Sequence, residues 1–212
     1  MDITLTSGSH ACHFFEAFDD QMELLGSFFR EGLISGEHCL FITPGEFDLE
    51  WLGHFGSLGS DFREALNTGA LTVVPGAAFR IGEFNTVRKA RELWLTIEDS
   101  LRGSTGVRIA GDAAWALNPT LPEDQLCHWE AAVNLVYEGA SVRAICQYRL
   151  DEHSPAAIHG AIRTHPVVIY DGVSHANPFY EAPEILKHEP HRNHSEADSE
   201  MVADLLARLK AK

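Results

Sequence analysis

Apolar residues along this 212-residue chain alternate between short unbroken runs and stripes recurring every three or four positions. His10-Ala-Cys-His-Phe-Phe-Glu16 reads as a strand closed by a polar turn over 17–20. Met22, Leu25, Phe29 and Leu33 then form a helical stripe, with Asp19 or Asp20 as its expected cap and Ser35-Gly36 as its stop. A second strand over 38–43 ends at Pro44-Gly45, and two helical stretches, 47–55 and 61–67, lead to a third strand over 70–74. Val87, Ala90, Trp94, Ile97 and Leu101 mark the clearest amphipathic helix, and Leu126, Trp129, Val133 and Val136 mark another. Strands over 107–112 and 142–148 follow these helices, and Ser154-Pro155 opens a short helix reaching Arg163. Asp171-Gly172 between 167–170 and 173–176 is a hairpin signal.

Strands alternating with helices predict an α/β fold, a mainly parallel sheet with helices on both faces and a C-terminal hairpin. Composition shifts after Pro183, so residues 1–183 are expected to form one domain and 184–212 a polar, His-containing linker with an amphipathic tail helix. In that tail His188, His191 and His194 precede Met201, Val202, Leu205, Leu206 and Leu209, an apolar face that must dock on the domain, a second copy or a partner.

Charge narrows the partners. Sixteen Lys and Arg against 31 Asp and Glu give a formal net charge of −15, which repels phosphate backbones and anionic membranes. Neither direct nucleic-acid binding nor a membrane is expected, since no apolar run approaches the roughly 20 residues needed to span a bilayer. Four cysteines without a C-x-x-C or a secretory signal point to reduced thiols and a cytoplasmic location.

Short catalytic signatures are missing: there is no phosphate loop, G-x-G-x-x-G, G-x-S-x-G or H-E-x-x-H. Polar residues at strand ends remain. Ligands of open α/β sheets bind outside the carboxyl ends of the strands, where Glu16, Asp112 with Trp115, and Tyr148 fall. Glu130 and Asn134 stand one helical turn apart beside them. The expected small-molecule site is Glu16, Asp112, Trp115, Glu130 and Tyr148, supported by His10, Arg163 and His165. The bland alternative makes Trp115 core and the carboxylates solvated caps. His10, Cys12, His13 and Cys127-His128 raise the question of a metal or haem, but alternation sends His13 to the face opposite His10 and Cys12. No metal and no cofactor are therefore expected, only buried thiols and hydrogen-bonded histidines.

Seven segments in order carry a resemblance. They are His10-Ala-Cys-His-Phe-Phe-Glu16, Phe29-Arg-Glu-Gly-Leu-Ile-Ser-Gly-Glu-His-Cys-Leu-Phe-Ile42, Gly111-Asp-Ala-Ala-Trp-Ala-Leu117, Trp129-Glu-Ala-Ala-Val-Asn134, Cys146-Gln-Tyr148, Arg163-Thr-His-Pro166 and Asn177-Pro-Phe-Tyr-Glu181. The chain resembles the MEDS family, the methanogen and methylotroph dichloromethane-regulator sensory domain. That resemblance implies a degenerate RecA/KaiC-like fold and a non-catalytic, cytosolic sensory module for a small organic ligand. It would signal through a regulatory protein (a kinase, an anti-sigma factor or a transcription factor), with homodimerisation open. On a RecA-like plan residues 17–21 take the phosphate-loop position without glycine or lysine, and Asp112 takes that of the Walker B acid. Two rivals stand beside this reading: a nucleotide-binding or weakly hydrolytic RecA relative, and a pure protein-interaction module with a vestigial pocket.

Overall fold

The computed structural model describes residues 3–47, 49–76, 86–116, 123–183, 202–204 and 207. Seven strands form one sheet: β1 (Ser9–Phe15), β2 (His38–Thr43), β3 (Leu71–Pro75), β4 (Val107–Asp112), β5 (Val142–Arg149), β6 (Val167–Tyr170) and β7 (Val173–Ala176). Their order is β3-β2-β4-β5-β1-β6-β7, and every neighbouring pair is parallel except β6 with β7. The mainly parallel α/β expectation holds. At the hairpin Asp171 and Gly172 both take positive φ, 53° and 76°, as the two central positions of a turn that follows strand twist require.

Helices α1 (Phe18–Ile34) and α2 (Gly59–Thr68), with a 3-10 stretch over Leu49–Leu58, cover one face. Met22, Leu25, Phe29, Leu52 and Phe62 pack there on Ala11, Phe41, Ala110 and Ile145. Helices α3 (Thr86–Leu101), α4 (Glu123–Tyr137) and α5 (Pro155–Thr164) cover the other. On that side Leu93, Ile97, Trp129, Val133 and Ile162 pack on Cys12, Phe14, Ile109, Ala144 and Tyr148. Alternation along each strand thus feeds two separate cores, which is why the central strands read as near-continuous apolar runs.

One local expectation needs correction, and one open alternative is decided in part. Helix α1 begins earlier than Asp19 or Asp20 would dictate as caps: its N-cap is Ala17, without a side-chain bond, and the two aspartates lie in the first turn. There they still suit the positive end of the helix dipole. In the tail, residues 202–204 are helical and Val202 is buried in the α3–α5 core, so that part of the segment docks on the domain. The remainder of the apolar face and His188, His191 and His194 lie outside the described residues.

Candidate functional site

The sheet divides the residues expected to meet. Along β1, alternation turns His10, Cys12 and Phe14 toward α4 and α5, and His13 toward α1. Along β5 the same rule turns Ala144, Cys146 and Tyr148 toward α4 and α5, and Gln147 toward α1. The β1–β5 register sets His10 beside Ala144 and Cys12 beside Cys146. Helix α4 supplies Glu130 and Asn134, two polar residues on an otherwise apolar face. His165 closes α5 with extended backbone (φ −113°, ψ 122°), as a residue before proline must.

These elements bring His10, Glu130, Tyr148 and His165 together with Cys146 and Asn134. The Tyr148 hydroxyl donates to Glu130 Oε1 at 2.9 Å. Glu130 Oε2 lies 3.4 Å from His10 Nε2, 3.7 Å from His165 Nε2 and 3.5 Å from Cys146 Sγ. Cys146 Sγ is 3.3 Å from His10 Nε2. The two imidazoles lie against each other, ring centres 4.1 Å apart, and Tyr137 meets His10 edge-on at 5.4 Å. His165 Nε2 is buried without a hydrogen-bond partner.

Hydrogen bonds settle both tautomers. Asn134 Nδ2 donates to the Thr164 and Glu130 carbonyl oxygens at 2.6 and 3.2 Å, which fixes the amide and leaves Oδ1 as an acceptor. His10 Nδ1–H therefore donates to Asn134 Oδ1 at 3.1 Å. His165 Nδ1–H donates to the Ala161 carbonyl at 2.7 Å. Each ring consequently aims the lone pair of Nε2 into the cluster. Burial lowers His10 to about 4, the bond to Asn134 opposing it, and lowers His165 well below the ordinary imidazole value with His10 adding to the effect, so both are neutral at pH 7. Burial pushes Glu130 up to about 7 against the bonds from Tyr148 and Cys146, and holds the Cys146 thiol well above its usual range.

Beside this cluster lies a small cavity bounded by Ile109, Gly111, Trp129, Val133, Ala144 and, at its polar end, Glu130 and Cys146. About 30 Å³ of it is open to the centre of a water-sized sphere, room for one or two waters or a molecule of similar size.

The other expected residues lie elsewhere. Asp112 is on the α1 side of the sheet, where Gln21 Nε2 donates to its Oδ2 at 2.7 Å and Ala114 N–H to its Oδ1 at 2.9 Å. Gln21 also reaches Gln147 Oε1 at 3.2 Å, and Gln147 reaches His13 Nδ1 at 3.4 Å. Burial raises Asp112, against the bonds from Ala114 and Gln21. Glu16 is exposed at the carboxyl end of β1, in an open cleft of about 580 Å³ with Asp20, Glu23 and Asp171. Arg163 is clamped by Glu181 through two bonds of 2.8 and 2.7 Å, tying 177–181 to α5. Trp115 sits on a 3-10 turn over Ala113–Ala116, and its side chain lies outside the described residues.

The expected single strand-end site is thus divided among the acidic cleft, the Asp112 network and the cluster beneath α4 and α5, with Arg163 set apart in its pairing with Glu181. Sequence reasoning passed over Cys146 as an ordinary thiol. Its spacing of two from Tyr148 was the available signal, since that puts both on one strand face. Among the described residues one group could hold a metal ion: His10, Glu130, Cys146 and His165, whose donor atoms all lie within 4.8 Å of one another.

Comparison with known proteins gives a family and a fold. The model of the family described as MEDS, the methanogen/methylotroph DcmR sensory domain, matches residues 9–166. Among solved structures, the chain is similar to a KaiC-like protein from the hyperthermophilic archaeon Pyrococcus horikoshii, with TM-score 0.58 and 16% identity over 77% of this chain and 72% of that one. It is likewise similar to the flagellar accessory protein FlaH from Methanocaldococcus jannaschii, with TM-score 0.55 and 15% identity over 79% of this chain and 75% of that one. The architecture is RecA/KaiC-like. No curated protein sequence matches.

Proposed function

As the chain belongs to the MEDS sensory-domain family over residues 9–166, we propose that it is a non-catalytic sensory domain binding a very small, mainly apolar organic molecule. The cavity beneath α3 and α4 carries this reading. Its walls are Ile42, Leu93, Ile109, Trp129 and Val133, and only one end is polar. Such a pocket selects by size and exclusion of water, with Glu130, Cys146 and Tyr137 fixing one polar or polarisable atom. The reading also includes a cytoplasmic location and a regulatory protein partner. No helix among the described residues is long and apolar enough to cross a membrane.

The nucleotide-binding rival is disfavoured on chemistry. Only Glu16 and Ala17 separate β1 from α1, too few to wrap phosphates in backbone N–H groups, and both oxygens of Asp112 already accept protein hydrogen bonds.

The test is thermal unfolding of the full chain with a panel of the smallest organic molecules, methanol and the smaller chlorinated methanes, matched to that cavity. At least one should raise the unfolding midpoint. In Gly111→Ala the added methyl meets Ile42 at 3.8 Å, ordinary contact, and narrows the cavity, so the fold should persist while the shift disappears. A panel without effect, or a shift unchanged in Gly111→Ala, overturns the proposal.

A further inference from the structure

We propose that His10, Glu130, Cys146 and His165 form a binding site for a divalent metal ion of the zinc class. Two imidazole Nε2 atoms, one thiolate and one carboxylate oxygen would hold it four-coordinate. Bond lengths of about 2.0–2.1 Å to nitrogen or oxygen and 2.3 Å to sulfur set tetrahedral edges of roughly 3.3–3.6 Å between donors. Four of the six edges here measure 3.3, 3.4, 3.5 and 3.7 Å, and all four donor atoms lie within 4.8 Å of one another, so small side-chain shifts would bring them to the vertices.

The surrounding bonds fit the same reading. Asn134 and the Ala161 carbonyl take the Nδ1 protons of His10 and His165, which leaves both Nε2 lone pairs directed inward. Tyr148 holds Glu130 by Oε1 and leaves Oε2 for the ion. His165 Nε2, buried and without a hydrogen-bond partner, gains one only when something occupies the centre. Charge decides the oxidation state. A dication with one thiolate and one carboxylate is neutral overall, which suits a buried position, whereas a monocation leaves a net negative charge there. Mixed nitrogen, sulfur and oxygen donors suit zinc or cobalt over magnesium or calcium. As the ion binds, the Cys146 proton and any proton on Glu130 leave to solvent.

This site shares Glu130 and Cys146 with the polar end of the proposed ligand cavity, and its test uses the metal alone, so the two readings can fail separately. The full chain, reduced and stripped with chelator, is titrated with Co²⁺. The expected result is one ion per chain, with intense visible bands of a tetrahedral site and a near-ultraviolet thiolate-to-cobalt band, all bleached by Zn²⁺. Cys146→Ser should lose the thiolate band, while Cys12→Ala, Cys39→Ala and Cys127→Ala each keep it, assigning the band even if Cys146→Ser fails to fold. Asn134→Ala, which touches no ion, should weaken binding about 10–100-fold. A weak octahedral spectrum, no binding, or a thiolate band that survives in Cys146→Ser overturns the proposal.

Discussion

Glu130 and His10 occupy one buried cluster yet respond to pH in opposite senses. In the metal-free protein Glu130 titrates at about 7 against an ordinary 4.5, chiefly through burial, so the folded state holds a proton that the unfolded chain releases between those values. That contribution favours folding in acid and is lost as pH rises through 7. His10, lowered by burial from 6.5 to about 4, behaves inversely: its contribution is complete above 6.5 and is lost as pH falls toward 4. His13, lowered by burial to about 3, and His165 act in the same direction as His10. His38 is lowered by burial as well and Asp112 is raised like Glu130, so four histidines stand against two acids. The urea midpoint of the chelator-treated protein should therefore fall between pH 7 and 5. Glu130→Gln, which keeps an acceptor for Tyr148, should steepen the fall by removing the opposing contribution. A shallower profile in that variant would contradict this assignment. None of this balance was legible residue by residue. His10, Glu130 and Tyr148 could be picked out as polar residues near apolar runs, but their meeting with Cys146 depends on β5 lying beside β1, which no local pattern states.

Element by element, sequence and structure agree where one strong signal governs and diverge where packing competes. The Asp171-Gly172 turn and the Ser154-Pro155 helix start were legible, because each rests on backbone chemistry inside a few residues. Ser154 Oγ accepts from Ala157 N–H at 3.1 Å, so Ser154→Ala should cost about 1 kcal/mol in chemical denaturation. The start of α1 was misplaced because burial of Gln21, Met22, Leu24 and Leu25 sets it, and the aspartates merely accompany it. The same helix carries a glycine whose role no propensity scale reveals. On intrinsic preference Gly32→Ala should favour α1 by roughly 1 kcal/mol. A Cβ there, however, would stand 2.7 Å from Arg108 Cδ and 2.9 Å from Cys39 Sγ. Arg108 cannot step aside readily, since Glu37, Glu31 and the Phe28 carbonyl all hold its guanidinium. We expect Gly32→Ala to destabilise the protein by about 1–3 kcal/mol, measured by urea unfolding. A neutral or stabilising result would mean that α1 can lift from the sheet at little cost.

At the scale of the whole molecule, the sheet itself separates two polar systems that a linear reading merged. Asp112 on β4 and Glu130 on α4 both follow or flank strands at the pocket end of the chain. Strand alternation nevertheless commits Asp112, with Gln21 and Gln147, to the α1 side, and Cys146 and Tyr148 to the α4 side. The parallel order could be anticipated from the alternation of strands and helices; which face each carboxylate took depended on register. This separation has a consequence for chemistry. Phosphoryl transfer needs backbone N–H groups and a lysine around the β- and γ-phosphates, and an acid free to hold Mg²⁺. Here the β1–α1 connection is Glu16-Ala17, and the cleft above it is lined by Glu16, Asp20, Glu23 and Asp171, four carboxylates facing where phosphates would lie. Asp112 is enclosed by Gln21 and Ala114. On the proposed reading, the RecA/KaiC-like frame carries carboxylates at the end of β1 where a nucleotide-binding protein would need phosphate-binding groups. The expected outcome is no ATP turnover above background, and no nucleotide retained by the freshly purified chain in native mass spectrometry. A turnover that disappears in Asp112→Ala would show that Gln21 yields its place to Mg²⁺ and that the frame still works as an enzyme.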